Sequence, residues 1–374
     1  MKRILIFSTA YLPHVGGAEI AIQEITKRLS GEYSFDLICG RFDPELPKEE
    51  TLGAVQVHRV GWGIRPIDKL LLPYMAALKA LELGHFDLYW AMMVTYGSGG
   101  AYIARWLTRT PILLTLQEGD PPEYLRTKWF GMVGLAWRLA LSRSVVVTVI
   151  SSYLGALAKA FGYRGEPMLV PNGVDLASFS SVEPIPHTGT VLVTTSRLVH
   201  KNAVDDVIRA LVLLPEDVTF SIYGVGPDEE KLRSLAKELK VESRVHFHGS
   251  IAYARIPEAL SRADIFIRPS RSEGMGNSFI EAMGAGLPVI ATQVGGIADF
   301  LFDAKRNPDR PATGFAVDPD APDQIVEAVE YIRSTNAEVQ SVVARARSLV
   351  RERYGWEKIA QDMHGAFDRA IASR

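Results

Sequence analysis

Glu273 and Glu281 stand eight positions apart in Ser-Glu-Gly-Met-Gly-Asn-Ser-Phe-Ile-Glu, a spacing that suits a ligand rich in hydroxyl groups. Gly274, Met275 and Gly276 separate the first acid from Asn277 and Ser278, where a helix is expected to start. One carboxylate then sits in a loop at the helix mouth and the other about one turn inside it. A helix entered through glycines offers free backbone N–H groups and a positive dipole end, which together form an anion site. Carboxylates beside such a site cannot bind phosphate, but they can accept hydrogen bonds from neighbouring hydroxyls. A diphosphate flanked by hydroxyl-bearing groups describes a nucleotide sugar. Taken alone, the same spacing usually means two solvated acids on a surface helix.

Three further segments carry the right residue types. Arg197 and Lys201, in Ser-Arg-Leu-Val-His-Lys-Asn, follow an apolar run and precede a helix, where a forked and a point-like cation can clamp a diphosphate. Gly16 and Gly17, in Pro-His-Val-Gly-Gly-Ala-Glu, would let a backbone approach phosphate closely. Tyr223-Gly224-Val225-Gly226-Pro227 resembles a dinucleotide fingerprint, but its third glycine position holds Glu229, so it reads only as a glycine turn.

Elements that position these segments follow from hydrophobic runs. Ile4–Ser8, Phe35–Cys39, Val55–Val60, Leu88–Met92, Ile112–Thr115, Val145–Ile150 and Met168–Val170 read as short buried strands. A second series covers Val191–Thr195, Thr219–Tyr223, Arg244–Phe247, Ile265–Ile267 and Pro288–Ala291. The runs of the first series are continuous rather than alternating, as strands covered on both faces require, and helical stretches lie between most of them. In such open sheets ligands bind beyond the carboxyl ends of strands, which is where the motifs fall. Ser180–Gly189, with Pro184 and Pro186, reads as the linker between two α/β units.

Composition agrees. With 374 residues and 47% hydrophobic content the chain can bury two cores, and a net charge of −2 argues against a nucleic-acid binder. The single cysteine, Cys39, excludes an intrachain disulfide and fits a reducing compartment. Lys2 and Arg3 lead into an apolar stretch too short for a signal peptide, and no transmembrane run is expected.

The ordered set is more specific than any member. Gly16-Gly17, Pro171-Asn172-Gly173-Val174-Asp175, Arg197 with Lys201, the Gly224–Pro227 turn, and Glu273 through Glu281 continuing to Thr292 together resemble the retaining glycosyltransferases of family 4 with the GT-B fold. The resemblance implies α/β architecture with two Rossmann-like domains facing a cleft. One spans residues 1–180, joined by a crossover helix at 356–374; the other spans 187–355 and binds the donor. It assigns Glu281 to the ribose hydroxyls of the donor and Glu273 to the transferred sugar. The segment Gly274, Met275, Gly276 and Asn277 would contact sugar and phosphate. Arg197 and Lys201 would neutralise the diphosphate leaving group, and Gly16 and Gly17 would approach it. The implied reaction moves a sugar from a UDP- or GDP-linked donor to a hydroxyl of a glycan, lipid-linked or small-molecule acceptor. No cofactor and no metal are expected, since two cations and a helix N-terminus can stabilise the departing diphosphate without one.

Two departures from the family pattern stand out. The lysine of this family often lies five residues after the arginine; here Lys201 lies four after, and Asn202 fills the usual slot. A histidine is common after the fifth strand of the first domain, where this chain reads Gln117-Glu118-Gly119-Asp120. Gln117 can hydrogen-bond a sugar but cannot act as a base. Glu118, Asp120 and His14 are candidates for the acceptor side, against the plainer reading of solvated loop residues. Tyr124–Phe130 with Trp137-Arg138, and Trp62 through Tyr74, mix aromatics with cations and could form a surface for a lipid-linked acceptor. The expected site of action is the cytoplasm, with peripheral contact at the inner membrane face. Two alternatives remain: a nucleotide-sugar epimerase of the same architecture, and a non-catalytic nucleotide-sugar-binding protein.

Overall fold

Strands that are apolar along their whole length must be covered on both sides, and the computed structural model meets that requirement twice. It describes residues 1–120, 122–127, 131–180 and 185–373. The chain divides into two compact units, Met1–Gly173 with Trp356–Arg374, and Val174–Gly355.

The first unit runs β1 (Lys2–Phe7), α1 (Gly17–Leu29), β2 (Tyr33–Gly40), β3 (Glu49–Leu52), β4 (Val55–Val60), α2 (Arg65–Glu82) and β5 (Leu88–Met92). It continues through α3 (Tyr96–Thr108), β6 (Ile112–Leu116), α4 (Pro122–Thr127), α5 (Met132–Arg143), β7 (Val146–Val149), α6 (Ser152–Ala160) and β8 (Met168–Leu169). Its sheet has the order β3-β4-β2-β1-β5-β6-β7-β8 and is parallel except for β3. Ile4 through Phe7 and Leu88 through Met92 are buried at its centre.

The second unit contains α7 (Leu176–Ser180), β9 (Thr190–Thr195), α8 (Val204–Leu211), β10 (Val218–Tyr223), α9 (Glu229–Glu238), β11 (Val245–Gly249), α10 (Ile256–Leu260) and β12 (Ile265–Arg268). It ends with α11 (Asn277–Ala285), β13 (Val289–Ala291), β14 (Phe315–Ala316), α12 (Pro322–Ser334) and α13 (Asn336–Arg353). Its six parallel strands lie in the order β11-β10-β9-β12-β13-β14. A core of Leu192, Ile208, Phe220, Ile265 and Ile325 fills the space between sheet and helices.

The last helix, α14 (Trp356–Ala372), packs in the first unit. Phe367 meets Trp90 edge-on at 5.1 Å, and the Tyr33 hydroxyl lies 2.8 Å from Nδ1 of His364. A Cβ on Gly173 would come within 2.6 Å of the Trp356 indole, which gives the glycine of Pro-Asn-Gly-Val-Asp a packing reason. By packing, the division falls at Gly173/Val174, ahead of the proline-containing stretch, because α7 packs on α11 in the second unit. Pro184, read as part of the linker, lies outside the described residues.

β3 was not anticipated. Glu49-Glu50-Thr51-Leu52 has no apolar run; it is an edge strand held by antiparallel pairing to β4.

Candidate functional site

The glutamate segment lies where strand β12 ends. Arg268, its last residue, is almost wholly buried, an expensive place for a cation unless its donors find acceptors. Nη2 donates to Oε2 of Glu273 at 2.7 Å, and Nη1 donates to Oγ of Ser278 at 2.8 Å. The guanidinium also lies 4.2 Å from the centre of the Phe279 ring. Burial pulls the Arg268 pKa down, while the charges of Glu273 and Glu281 push it back up.

Glu273 is therefore not a solvated acid. Its Oε2 is held by Arg268, and its Oε1 accepts the N–H of Gly274 at 2.9 Å. Glu281 lies on α11 and is also buried. Burial raises its carboxyl pKa to about 7, against the lowering effects of the Arg268 charge and a hydrogen bond from the Tyr253 side chain. Gly276 begins the helix at φ +85°, and a Cβ there would approach Phe279 and the Arg268 guanidinium within 2.6 Å. Gly295 serves the same loop from the other side, because a Cβ on it would lie 1.8 Å from the Glu273 carbonyl oxygen. Gly296 donates its N–H to that oxygen at 3.2 Å.

Arg197 and Lys201 follow β9, the strand adjacent to β12. Arg197 is exposed and Lys201 half-buried. Two glycines explain the course of this loop. A Cβ on Gly224 would stand 1.9 Å from the Ser196 carbonyl oxygen, and one on Gly226 would stand 2.1 Å from that of Leu198. The Gly224–Pro227 turn is thus a backbone seat for the Arg197 segment. Asn202 is buried, and its side-chain amide donates to the Arg197 carbonyl at 2.6 Å. That closes the loop and makes position 202 a structural amide.

Arg271 braces this loop against the glutamate segment. Its backbone N–H donates to the Lys201 carbonyl at 2.7 Å and its Nη1 to the His200 carbonyl at 2.7 Å. The same guanidinium pairs with Asp205, Asp206 and Asp320. Neither Arg268 nor Arg271 was singled out from sequence. A cation closing an otherwise apolar, doubly covered strand was the available signal for the first. Around them, the hydroxyls of Thr195, Ser196 and Ser270 are buried without a hydrogen-bond partner among the described residues. Buried hydroxyls at strand ends are groups that a polar ligand can satisfy.

The first-unit candidates lie at the ends of β1 and β6. Gly16 caps α1 in extended conformation and Gly17 opens the helix. The Glu19 carboxylate lies over this turn, its Oε2 2.7 Å from where a Cβ on Gly16 would stand, and burial raises its pKa. His14 is exposed. The Gln117 side chain exchanges hydrogen bonds with Asn172 at 3.1 and 3.2 Å, which commits the amide proposed for a sugar. Glu118 is not a solvated loop acid. Its carboxylate accepts the N–H groups of Val94 at 2.6 Å and Gln117 at 2.9 Å, and burial raises its pKa to about 7. Asp120 lies in the same loop and adds to that rise.

Of the aromatic surface, Lys128–Phe130 and the side chains of Tyr124 and Arg126 lie outside the described residues. Trp137 is corrected to a core residue, packed 5.3 Å from Phe161, because α5 turns that face inward. Trp62 and Tyr74 are exposed as expected. Cys39 is buried, and burial pushes its thiol up to about 12.

Two Rossmann-like units, with cations and acids gathered beyond the strand ends of the second, define the GT-B glycosyltransferase class. Residues 15–178 match the family model "Glycosyltransferase Family 4" and residues 177–348 match "Glycosyl transferases group 1". The chain belongs to glycosyltransferase family 4. The GDP-mannose-dependent alpha-(1-6)-phosphatidylinositol monomannoside mannosyltransferase of Mycobacterium tuberculosis is 31% identical over 238 residues, covering 58% of this chain and 59% of that protein. One component of the phosphatidylinositol N-acetylglucosaminyltransferase of Arabidopsis thaliana is 28% identical over 207 residues, covering 54% of this chain and 44% of that protein. The matches thus span about half the length of these two relatives. Sucrose-phosphate synthase from Thermosynechococcus elongatus superposes over the whole of both chains with a TM-score of 0.86 at 21% identity. Anabaena HepE in complex with UDP-glucose does so with a TM-score of 0.79 at 20% identity. At these identities the likeness concerns the fold.

Proposed function

We propose that this protein transfers a sugar from a nucleoside-diphosphate donor to an acceptor hydroxyl with retention at the anomeric carbon and without a metal. The observation that carries the reading is the Arg268–Glu273 pair beside buried Glu281, at the carboxyl end of β12 and braced through Arg271 to the loop of Arg197 and Lys201. Leaving-group departure builds negative charge on a diphosphate, and two cations with the α11 N-terminus can stabilise it. Glu281, at the ribose hydroxyls, then governs donor affinity, and Glu273, at the transferred sugar, governs rate. Gly274, Met275, Gly276 and Asn277 supply backbone contacts, and Gly16 and Gly17 approach the diphosphate. Glu118, with its raised pKa, is the strongest of the acceptor-side candidates; Asp120, Gln117 and His14 are weaker ones.

Relatives support the donor and acceptor classes. One is named as GDP-mannose-dependent and as acting on a phosphatidylinositol monomannoside, and HepE was solved with UDP-glucose. The reading therefore takes a UDP- or GDP-linked sugar as donor and a glycolipid or carbohydrate as acceptor. It includes action in the cytoplasm with a peripheral contact at the inner membrane face.

Thermal-shift measurements across nucleoside diphosphates and their sugars test the donor site. A true donor raises the melting temperature by mass action. Turnover assays in the presence of a chelator, with the anomeric configuration of the product read by NMR, test metal independence and retention. An inverted product, or loss of activity on chelation, overturns those parts. Donor isomerisation without any acceptor would replace transfer by epimerisation.

A further inference from the structure

The helices on the two faces of the first sheet differ in what they turn to solvent. α1 and α14 pack together and present Gln23, Lys27, Glu357, Lys358, Gln361 and Arg369 outward, the polar surface expected of helices that cover a sheet. α2, α3 and α5 lie on the other face, by the right-handed sense of the β4–β5, β5–β6 and β6–β7 crossovers. Their outer surface is apolar.

On α2, Ile67, Leu70, Tyr74, Leu78 and Leu81 are all exposed, Leu78 by 68%. Spacings of three and four make them one stripe along an 18-residue helix. A core-facing stripe of Leu72, Ala76 and Ala80 runs along the opposite side, so the helix is apolar on both. α3 runs alongside. Gly99 and Gly100 fit against Pro73 and Ala76, Lys69 lies over the Tyr96 ring, and Leu81 shares a surface pocket with Thr108–Thr110. α3 exposes Ile103, Leu107 and Trp106, the last by 82%. α5 adds Met132, Leu135 and Leu139, and its C-cap Ser144 meets Tyr102 of α3 at 3.1 Å. Scattered apolar residues on a surface need no explanation, but a contiguous layer drawn from three neighbouring helices does.

Charge says what covers it. α3 and α5 carry Arg105, Arg138 and Arg143 and no acid. α2 has two acids. Asp68 is buried, where its carboxylate accepts the N–H groups of Trp62, Gly63 and Ile64, and Glu82 is paired with Lys79. Arg65, Lys69, Arg138 and Arg143 remain as exposed cations around the apolar layer. A second copy meeting this face would set like charges against each other. An anionic bilayer supplies both an acyl boundary for Leu, Trp and Tyr and phosphates for Arg and Lys. Among the described residues no helix is long and apolar enough to cross a membrane, so the contact is one of surface.

We infer that the outer face of α2, α3 and α5 is a docking surface for an anionic phospholipid bilayer, with Trp106, Leu78 and Tyr74 entering the interface and Arg65, Lys69, Arg138 and Arg143 meeting phosphates. It gives the membrane contact proposed above a definite surface and rests on that part of the reading, not on the transfer chemistry.

The test is flotation of the full chain, without donor or acceptor, on vesicles of phosphatidylglycerol or of phosphatidylcholine. Binding to the anionic vesicles that weakens as salt is raised, with little binding to the neutral ones, is the expected result. The double variant Leu78→Ser/Trp106→Ser should lose binding about tenfold or more, because burial in the interface scales with apolar area. Arg65→Glu/Lys69→Glu should lose it similarly, and Lys27→Glu on α1 should not. Circular dichroism melting confirms that each variant is folded. No binding at low salt overturns the inference, as does equal loss with Lys27→Glu. Concentration-dependent self-association that Trp106→Ser abolishes would assign the face to a second copy instead. Transfer to a soluble acceptor by Leu78→Ser/Trp106→Ser should persist; vesicle binding by a protein with no transferase activity would defeat the proposed function and leave the surface standing.

Discussion

Arg268 holds Glu273 through a 2.7 Å bond from Nη2 while its Nη1 reaches Ser278 on α11, so one buried guanidinium sets both the glutamate loop and the helix that follows it. Removing one partner of a buried pair leaves the other charge uncompensated, at a cost of about 3–5 kcal/mol. Arg268→Met should therefore lower stability by that order in urea unfolding. Arg268→Lys keeps the charge but loses the fork, and a point-like ammonium cannot serve two acceptors in one plane. It should fold, with transfer slowed at least tenfold and donor affinity changed less. Normal turnover in Arg268→Lys would show that Glu273 needs no such support.

Glu281 makes a prediction in pH. Burial raises its pKa from 4.5 to about 7, so between those values the folded state holds a proton that the unfolded state has released. This contribution to stability is full below the unfolded pKa and is lost as pH rises through about 7. Glu118, with the same direction and cause, adds to the slope. Urea midpoints at pH 5, 6, 7 and 8 should fall with pH in the natural chain, and fall less in Glu281→Gln. Donor affinity should move oppositely. The ionised carboxylate accepts from both ribose hydroxyls, so binding strengthens as pH rises through about 7 and becomes flat in Glu281→Gln. An unchanged pH profile of donor binding in that variant would remove Glu281 from the ribose.

Much of this architecture was legible in sequence for a simple reason. Parallel strands covered on both faces, such as Ile4–Phe7 and Leu88–Met92, are continuous apolar runs. The site was legible where glycines are required, since Gly276 at φ +85° and Gly224 at φ +148° mark backbone that other residues adopt poorly. What escaped were residues whose role exists only after folding. Arg268 reads as a charge ending a strand until Glu273 and Ser278 are folded back over it. Glu118 is a candidate in the sequence, but its burial exists only once Val94, from another loop, donates to it. Glu49–Leu52 has no pattern of its own and becomes a strand by pairing with β4.

The departure at Lys201 and Asn202 can be tested by exchange. Position 202 is buried, and its amide closes the loop onto the Arg197 carbonyl. A lysine placed there must either bury its ammonium or break the loop. The exchange Lys201→Asn/Asn202→Lys should thus fail to restore the activity lost in Lys201→Asn alone. Loss of one charge-stabilising group costs on the order of 10²–10³ in kcat. Arg197→Ala should show a comparable fall in kcat with the melting temperature nearly unchanged, because its side chain is exposed. Recovery by the exchange would place the diphosphate nearer to residue 202.

Glycines in this fold separate into those that permit a close approach and those that merely occupy space. A Cβ on Gly226 would stand 2.1 Å from the Leu198 carbonyl oxygen, and one on Gly224 would stand 1.9 Å from that of Ser196 at a backbone angle that side chains tolerate badly. Both obstacles are backbone, so no rotamer change relieves them; the Arg197 segment itself must move. Gly224→Ala and Gly226→Ala should each cost roughly 1–3 kcal/mol in urea unfolding and weaken donor binding together with stability. Gly365 is the control. It lies within α14, is exposed, and a Cβ there would meet nothing within 4 Å. Glycine inside a helix carries an entropic cost that alanine removes, so Gly365→Ala should stabilise the chain by about 0.5–1 kcal/mol with donor binding unchanged. Equal and small effects at all three positions would mean that the Gly224–Pro227 turn is not what seats the arginine loop.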